Sequence, residues 1–193
     1  MERAVEWRFN VADGGALSVG GHRATIWGSP RFDADGDVPL ARFNGLSDGL
    51  SVETNPIEGF GRFSIEVEFL PELGGSREQR FLHIQEIGSA NRVLLETRLT
   101  ADGRWYADTF VKSAGGESFL NDPSLTHPIG VRHTMSLRCD GKRMIQYVDG
   151  MPELEAALDF MPLGPGRTSI GMRIDRVHWF KGSIGRIRIE VPS

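Results

Sequence analysis

The sequence predicts an all-β fold, a two-sheet antiparallel jelly-roll β-sandwich. Turns that contain glycine recur about every ten residues in a chain with 24 glycines, a spacing typical of sandwiches and barrels. Between the turns, short segments alternate apolar with polar residues, as strands with one buried face do. In the last third, Asp149-Gly150 follows one such segment, and Phe180-Lys181-Gly182 opens the closing strand.

The length and composition predict a single domain over residues 1–193. A chain of this length buries roughly 70% of its unfolded surface, so it needs no metal or disulfide to be stable. Hydrophobic residues make up 39% and charged residues 25%, both near globular averages. The one cysteine, Cys139, shares a face with Met135 and Leu137 in an alternating segment, so we expect it in the core.

Charge and hydropathy patterns argue against two classes of partner. The net charge is −4, and no basic stripe with interleaved aromatic residues indicates nucleic acid binding. No apolar run approaches the ~18 residues that span a membrane. Residues 1–15 are charged and resemble domain sequence rather than a signal peptide. The sequence does not specify the cellular compartment, because a targeting segment could have been removed. No pattern specifies the oligomeric state.

Four central segments show the clearest strand pattern. In the second of them, Leu82 and Ile84 fall on one face, and Phe81, His83 and Gln85 fall on the other. This alternation is typical of half-buried strands. The four segments are Phe63–Phe69, Phe81–Gln85, Arg92–Leu99 and Trp105–Val111.

The last two of these strands are predicted to form a hairpin of defined register. A three-residue loop at 101–103 places its glycine in the left-handed conformation beside a bulge. Counting outward, Leu99 then faces Trp105, and Val93 faces Val111. A slip of one residue would turn every side chain to the other face, so this register, in which all the paired residues are apolar or β-branched, should be preferred.

The same register gathers polar side chains on the opposite face of the hairpin. Glu96 lies opposite Asp108 and Arg98 opposite Tyr106, and like charges so close are destabilising. One interpretation is a polar platform on a concave sheet face, where these groups bind hydroxyls and the tyrosine stacks on a sugar ring. The other is an exposed face on which Arg98 neutralises both acids. The candidate ligand-binding residues are His83, Gln85, Glu96, Arg98, Tyr106 and Asp108.

Other segments carry weaker signals. The irregular stretch Gly115–Gly130 is predicted as a crossover between sheets or as a lid over a site. The composition of Met151–Leu158 is compatible with a helix of one or two turns. We expect Trp7 and Trp27 in the core, while Trp179 either packs at a corner or stacks on a sugar.

Four segments carry short motifs in a fixed order. They are ARFNGLSDGLSV at Ala41–Val52, the strand Phe63–Phe69, a hairpin ending in Tyr-Val-Asp-Gly within His133–Gly150, and Ile-Gly followed by Phe-Lys-Gly-Ser-Ile within Arg167–Ile189. In this order they resemble the concanavalin A-like lectin/glucanase superfamily, and within it the laminin-G-like jelly rolls. The resemblance implies the two-sheet fold, and because its motifs are turn and packing signals, it says little about activity.

The resemblance also bears on metal binding. Many relatives hold a structural calcium through an acidic residue in the last strand, where this chain has Gly185 followed by Arg186. Calcium requires several oxygen ligands, carboxylates among them. His22, His127 and His133 show no spacing typical of a metal triad. The sequence therefore predicts neither a metal site nor a cofactor.

A catalytic role has candidates but lacks the motif of the related enzymes. The glucanase branch uses Glu-x-Asp-x-x-Glu on one strand, and this chain contains no Glu-x-Asp. Glu66 and Glu68 alternate on one strand, while Glu96 and Asp108 oppose each other across the hairpin. Neighbours on one face of a strand lie roughly 6–7 Å apart at the backbone, a spacing that a glycosidase pair could use. Glu96 and Asp108 could approach the ~5–5.5 Å between carboxyls in retaining glycosidases.

We therefore predict a non-catalytic carbohydrate- or ligand-binding domain that uses the concave sheet face. Its partner would be a carbohydrate or another small polar ligand. A glycoside hydrolase acting through the carboxylates above is one alternative. A protein-interaction module of the laminin-G type is another, and it would need an exposed apolar rim.

Overall fold

The structure, a computed structural model, describes residues 2–12, 16–35 and 38–192. These residues form two antiparallel sheets of eight and ten strands, and no helix occurs among them. The predicted antiparallel jelly-roll sandwich is therefore confirmed. It follows that no helix in these three ranges is long and apolar enough to cross a membrane.

The eight-stranded sheet takes strands from both ends and the middle of the chain. Its strands are β1 (Glu2–Trp7), β5 (Arg31–Asp35), β6 (Val38–Asn44), β8 (Phe63–Pro71), β14 (His133–Cys139), β15 (Arg143–Val148), β16 (Met151–Ala157) and β18 (Lys181–Pro192). In space they follow the order β16-β15-β14-β8-β18-β6-β5. Strand β1 pairs with the second half of β18, beyond the part that β6 occupies.

The ten-stranded sheet holds the predicted hairpin. Its strands are β2 (Phe9–Val11), β3 (Leu17–Val19), β4 (His22–Trp27), β7 (Gly49–Val52), β9 (Glu78–Glu86), β10 (Arg92–Leu99), β11 (Arg104–Ser113), β12 (Gly116–Asn121), β13 (His127–Pro128) and β17 (Gly166–Ile170). The spatial order is β12-β11-β10-β9-β17-β7-β4-β3-β2, and β13 pairs with β11.

The hydrophobic core lies between the two sheets, where their apolar side chains meet. Phe69 of β8 stacks on Phe81 of β9 with ring centroids 4.8 Å apart. Phe69 also packs edge-on against Trp105 of β11 at 5.2 Å. Cys139 and Trp7 are buried in this core, as predicted.

Trp27, which was expected in the core, lies outside it and is half-buried. In β4 the neighbouring Ile26 pairs with Leu50 of the core, so the alternation turns Trp27 to the other face. There its Nε1 donates a hydrogen bond to Ser51 Oγ at 3.2 Å. The guanidinium of Arg176 lies 4.6 Å from the ring centre, a cation–π contact.

The β10–β11 hairpin has the predicted register along its whole length. It runs from Leu99 opposite Trp105 to Arg92 opposite Lys112. Gly103 in the connecting turn has the expected positive φ, +77°. The polar pairs of this hairpin are therefore all on the face away from the core.

The stretch Gly115–Gly130 is more regular than expected. It contains β12, which adds an edge strand beside β11, and the two-residue β13. Since β11 turns directly into β12, the first half of the stretch is a hairpin rather than a lid or a crossover. One consequence is that Phe119 lies opposite Phe110.

The helix predicted at Met151–Leu158 is wrong, because this segment forms β16. Asp149 and Gly150 both have positive φ, 51° and 77°, as a two-residue type I′ turn requires. The turn folds the segment back onto β15, and the ladder hydrogen bonds outweigh its weak helical propensity. Pro152 is tolerated since β16 lies at the sheet edge.

A bulge in β9 changes which side chains face outward. Leu82 pairs with Leu95, but the next pair joins Arg80 to Glu96 and skips Phe81. The extra residue points into the core and is fully buried, so its predicted place on the polar face is wrong. Bulges often re-aim side chains in this way beside functional sites.

Candidate functional site

The outer face of the ten-stranded sheet, meaning the face away from the core, carries a cluster of buried charges. Glu96 and Asp108 oppose each other as predicted, and the bulge brings Arg80 beside them. These three residues are only 3%, 6% and 8% exposed. Charged groups withdrawn this far from water need partners.

A cavity of about 380 Å³ opens over this cluster. Small-molecule sites usually have volumes of roughly 300–1,000 Å³. The cavity is lined by four arginines, two carboxylates, one amide and three apolar side chains: Arg80, Arg92, Arg98, Arg173, Glu96, Asp108, Asn121, Leu94, Phe110 and Phe119.

Two arginines and three acids on the floor of the cavity form one ion-pair network. Arg98 Nε donates to Asp108 Oδ2 at 2.6 Å, and its Nη1 lies 2.5 Å from Glu78 Oε1. Arg80 Nη1 donates to Glu78 Oε2 at 3.0 Å, and its Nε lies 2.9 Å from Glu96 Oε1. Arg98 does lie between both predicted acids, at 3.9 Å from Glu96, but on a buried face rather than an exposed one.

The carboxyl group of Glu96 has an unusually high pKa. Burial, opposed by the neighbouring Arg80 and aided by the negative charge of Asp108, raises its pKa to about 7. The side chain therefore carries a proton for part of the time at neutral pH. Carboxyls perturbed in this way are concentrated at functional sites.

Aromatic side chains form one edge of the cavity. Phe119 of β12 is 69% exposed, and Phe110 lies directly across from it on β11. The guanidinium of Arg92 lies 4.5 Å from the Phe110 ring centre. Asn121 stands opposite Asp108 on the same edge. A flat apolar surface thus adjoins hydrogen-bonding groups.

The loop at residues 171–180 covers the outer face beside the cavity. The backbone N–H of Ile174 donates to His83 Nδ1 at 3.1 Å, which fixes the loop to β9. Arg173 in the same loop reaches the cavity wall. The loop therefore divides the outer face, leaving the cavity on one side and Trp27 on the other.

Two residues of this loop hold strained backbone. Arg176 and His178 have φ values of 63° and 54°, in the left-handed region that costs a non-glycine residue roughly 1–2 kcal/mol. The Arg176 contact with Trp27 and a hydrogen bond from the Arg80 N–H to the His178 carbonyl, 2.9 Å, help to hold them. These contacts hold the loop in one conformation.

His83, a predicted ligand-binding residue, supports this loop instead of lining the cavity. It is fully buried, and because its Nδ1 accepts a hydrogen bond, the ring proton belongs on Nε2. Burial, together with the positive charges of Arg173 and Arg92, lowers the pKa of His83 to about 3. The imidazole is therefore neutral at physiological pH.

The other predicted residues divide between the cavity and its surroundings. Gln85 donates to a backbone carbonyl of the following turn, and Tyr106 is 6% exposed; neither lines the cavity. Glu66 and Glu68 lie on β8, on the outer face of the opposite sheet. Of the six predicted binding residues, the cavity therefore joins Glu96, Arg98 and Asp108.

The other seven residues that line the cavity were not predicted from the sequence. Arg92 and Phe110 could have been found, since they continue the predicted polar face of the hairpin. Arg80 required the bulge, and Arg173 the path of the loop. The residues that were missed are Arg80, Arg92, Leu94, Phe110, Phe119, Asn121 and Arg173.

Next to Gly185, where the resemblance suggested looking for a structural calcium, the chain has an arginine whose side chain is paired with acids. Pairing of β18 with β8 shifts register between Ile184 and Ile187, around Gly185. The Arg186 guanidinium lies 3.6 Å from carboxylate oxygens of both Glu6 and Glu66. Within residues 2–12, 16–35 and 38–192, no group of three His, Cys, Asp or Glu side chains could hold a metal ion.

Comparison with known proteins finds similarity in structure rather than in sequence. No protein-family model and no curated protein matches the chain. Domain 4 of AbnA, a GH43 extracellular arabinanase from Geobacillus stearothermophilus solved in complex with arabinotriose, is similar with a TM-score of 0.66 and 18% identity. The match covers 96% of this chain and 93% of that domain.

Two further structures are similar at lower coverage. The heptameric SAP-like pentraxin from Limulus polyphemus matches with a TM-score of 0.61 and 14% identity, over 79% of this chain and 76% of that one. Domains LG4-5 of the mouse laminin α1 chain match with a TM-score of 0.62 and 13% identity, over 83% and 43%. The chain therefore has the concanavalin A-like, laminin-G-like jelly-roll fold that its motifs implied.

Proposed function

We propose that this protein is a non-catalytic carbohydrate-binding domain whose ligand occupies the cavity on the outer face of the ten-stranded sheet. The observation that carries the proposal is a set of polar side chains fixed in place by buried ion pairs, beside an exposed aromatic ring. A site ordered before the ligand arrives avoids the entropy cost of ordering it during binding.

The chemistry of the lining suits a sugar. Asp108 can accept hydrogen bonds from hydroxyl groups, and Asn121 can both accept and donate. Phe119 offers its exposed ring to the apolar face of a pyranose or furanose. The arabinanase domain with bound arabinotriose, which matches this chain almost end to end, supports a saccharide as the class of ligand.

Titration with a panel of oligosaccharides that includes arabinotriose tests the proposal. We expect binding to at least one member, and a loss of about tenfold or more in affinity on Phe119→Ala. This ring is 69% exposed, so its removal should leave the fold intact. Met151→Ala is the matched control, because Met151 is also 69% exposed but lies on the edge strand of the other sheet.

Two results would count against this site. Binding that Phe119→Ala and Asp108→Asn leave unchanged would place the ligand elsewhere. A broad panel without any binding would remove the carbohydrate proposal itself. Thermal melts of each variant would show that the comparison is made between folded proteins.

A glycoside hydrolase is a second candidate, favoured by the raised pKa of Glu96 beside Asp108. Glycosidases pair a carboxylic acid that keeps its proton at working pH with a second, ionised carboxylate. In this arrangement Glu96 would act as the general acid and Asp108 as the nucleophile or base. Glu66 and Glu68 lie across the sandwich and could not assist.

Product analysis separates the enzyme from the binding domain. If the protein is a hydrolase, Glu96→Gln should reduce turnover of a bound oligosaccharide by at least 100-fold while binding persists. Bound oligosaccharide that remains intact after prolonged incubation with the unmodified protein would exclude this candidate for that ligand. Glu66→Gln is the control with an equal change of charge.

A further inference from the structure

The charges in the cavity do not balance. Arg80 and Arg98 are already paired with acids of the floor network. Arg92 and Arg173 line the same cavity outside that network. A positive region is therefore found on a protein whose net charge is −4.

Arg92 has donors to spare. Its Nη1 donates to the carbonyl of Ala90 at 2.9 Å, and its plane packs over Phe110. The Nε is buried without a hydrogen-bond partner. In the part of the chain that the structure describes, no carboxylate lies within ion-pairing distance of this guanidinium. Buried donors are normally satisfied, so this unpaired Nε shows that the fold itself does not satisfy the Arg92 guanidinium.

Arg173 approaches the same region from the loop at 171–180. Its nearest acid is Asp175, 3.4 Å from Nε, whose side chain is 56% exposed and therefore well screened by water. Hydrogen bonds between the backbones of Arg173 and Val177, and of Arg176 and Arg173, fix the turn that carries it.

The two guanidinium groups repel each other. The pKa of Arg92 is lowered by burial and, next, by the positive charge of Arg173, while the negative charges of Glu117 and Glu96 only partly oppose this. Holding two cations together in a partly desolvated place is unfavourable unless an anion joins them. The planar guanidinium fork matches both the carboxylate and the sulfate group.

We infer that the ligand is an acidic saccharide, whose carboxylate or sulfate group binds between Arg92 and Arg173 while its ring lies against Phe119 and Asp108. This inference rests on the proposed carbohydrate-binding function. It adds the chemical class of the sugar, which neither the fold nor the neighbouring structures specify.

Titration with matched oligosaccharides tests this. The probes are oligouronates, the same oligouronates with every carboxyl methyl-esterified, and a neutral oligosaccharide with and without sulfate. We expect an anionic member to bind at least tenfold more tightly than its neutral partner, with affinity that falls as salt is added. The uronate and sulfate arms identify which anion the site takes.

Variants then assign the preference to the two arginines. Arg92→Ala and Arg173→Ala should each reduce affinity for the anionic probe by about 10- to 100-fold, as loss of a charged hydrogen bond does. Affinity for the neutral partner should hardly change. Arg92→Lys keeps the charge without the fork and should retain part of the preference. Arg138→Ala removes the same charge from an exposed position on the other sheet and should have no effect.

The possible failures are distinguishable. If neutral and anionic probes bind equally and Phe119→Ala weakens both, the acidic saccharide is wrong and the carbohydrate site stands. If Arg138→Ala weakens anion binding as much as Arg92→Ala does, the attraction is a general surface effect and the inference fails. If no probe binds, the proposed function and the inference fail together.

Discussion

The outer faces of the two sheets show what turns similar residues into different surfaces. Both alternate acids and arginines with core residues. On the eight-stranded sheet, a depression of about 150 Å³ is lined by Ser64, Glu66, Arg188 and Glu190, and the Glu66 and Arg188 side chains are 36% and 42% exposed. On the ten-stranded sheet, the Glu96 side chain is 3% exposed beside a cavity of about 380 Å³.

The difference comes from what surrounds each face rather than from its composition. Phe119 and Asn121 of strand β12 line one side of the cavity, and Arg173 of the loop at 171–180 also lines it. The bulge in β9 adds Arg80 to the floor. Charges on the outer face of the eight-stranded sheet are screened by water and contribute little to stability. Charges on the outer face of the ten-stranded sheet lose water, so they must pair with each other. The ion pairs then hold the side chains of the site in fixed positions.

The largest contrast should be seen in stability when one arginine is removed from each face. Arg80→Ala removes the closer ion-pair partner of the buried Glu96, leaving only the 3.9 Å contact with Arg98, and should lower the free energy of unfolding by roughly 3–5 kcal/mol. Arg138→Ala removes an exposed side chain and should change it by about 0.5 kcal/mol or less. Denaturant unfolding measures both. Equal losses for the two variants would contradict the contrast between the faces.

Two groups on the outer face of the ten-stranded sheet, Glu96 and His83, should make stability depend on pH. The pKa of Glu96, raised to about 7, means that the folded chain holds a proton that the unfolded chain releases above pH 4.5. Its contribution to stability is therefore lost as pH rises to about 7. The pKa of His83, lowered to about 3, has the opposite effect: stability is lost as pH falls from about 6.5 towards 3.

Because the two effects overlap and oppose each other, they should be resolved by NMR of each side chain. We expect the Glu96 carboxyl carbon to titrate near pH 7 and the His83 ring to stay neutral at pH 5. Spectra of Glu96→Gln would assign the carboxyl signal. A Glu96 midpoint below pH 5, or a protonated His83 at pH 5, would show that the face is wetter than the structure implies.

A smaller change in stability is expected at the exposed edge of the cavity, where Phe119 lies. Phe119→Ala should change the free energy of unfolding by about 0.5 kcal/mol or less, since the ring is 69% exposed. A cost of 2 kcal/mol or more in thermal or denaturant unfolding would mean that the ring belongs to the core. It would then no longer be available to a ligand.

No effect at all is expected from removal of calcium. Gly185 supplies no side-chain oxygen, and the neighbouring Arg186 is paired with Glu6 and Glu66. A chelator should therefore leave the thermal midpoint unchanged, and added calcium should not raise it. A clear drop with the chelator would overturn the prediction made from Gly185.

Local pattern was sufficient for the fold and for part of the site. The β10–β11 register followed from one turn and one alternation, and it placed Glu96 opposite Asp108. Features that depend on tertiary pairing were not predictable. The bulge shifts Phe81 into the core and Arg80 outward, and no residue type there signals it.

The residues at the sides of the cavity could not be predicted from the sequence for the same reason. Strand β12 is short, with a glycine and polar residues, so its sequence predicts an irregular segment, and only its pairing with β11 makes it a strand. Arg173 lies far along the chain and reaches the cavity only because its loop is tied to His83. Alternation alone assigns a residue to a face but does not say what will cover that face.

An NMR titration of the isotope-labelled protein with the oligosaccharide panel tests the account most directly. We expect the backbone amides of Asp108, Phe119 and Arg173 to shift in a saturable way, while those of Glu66 and Arg138 stay in place. Saturable shifts confined to the outer face of the eight-stranded sheet would contradict the assignment of function to the cavity.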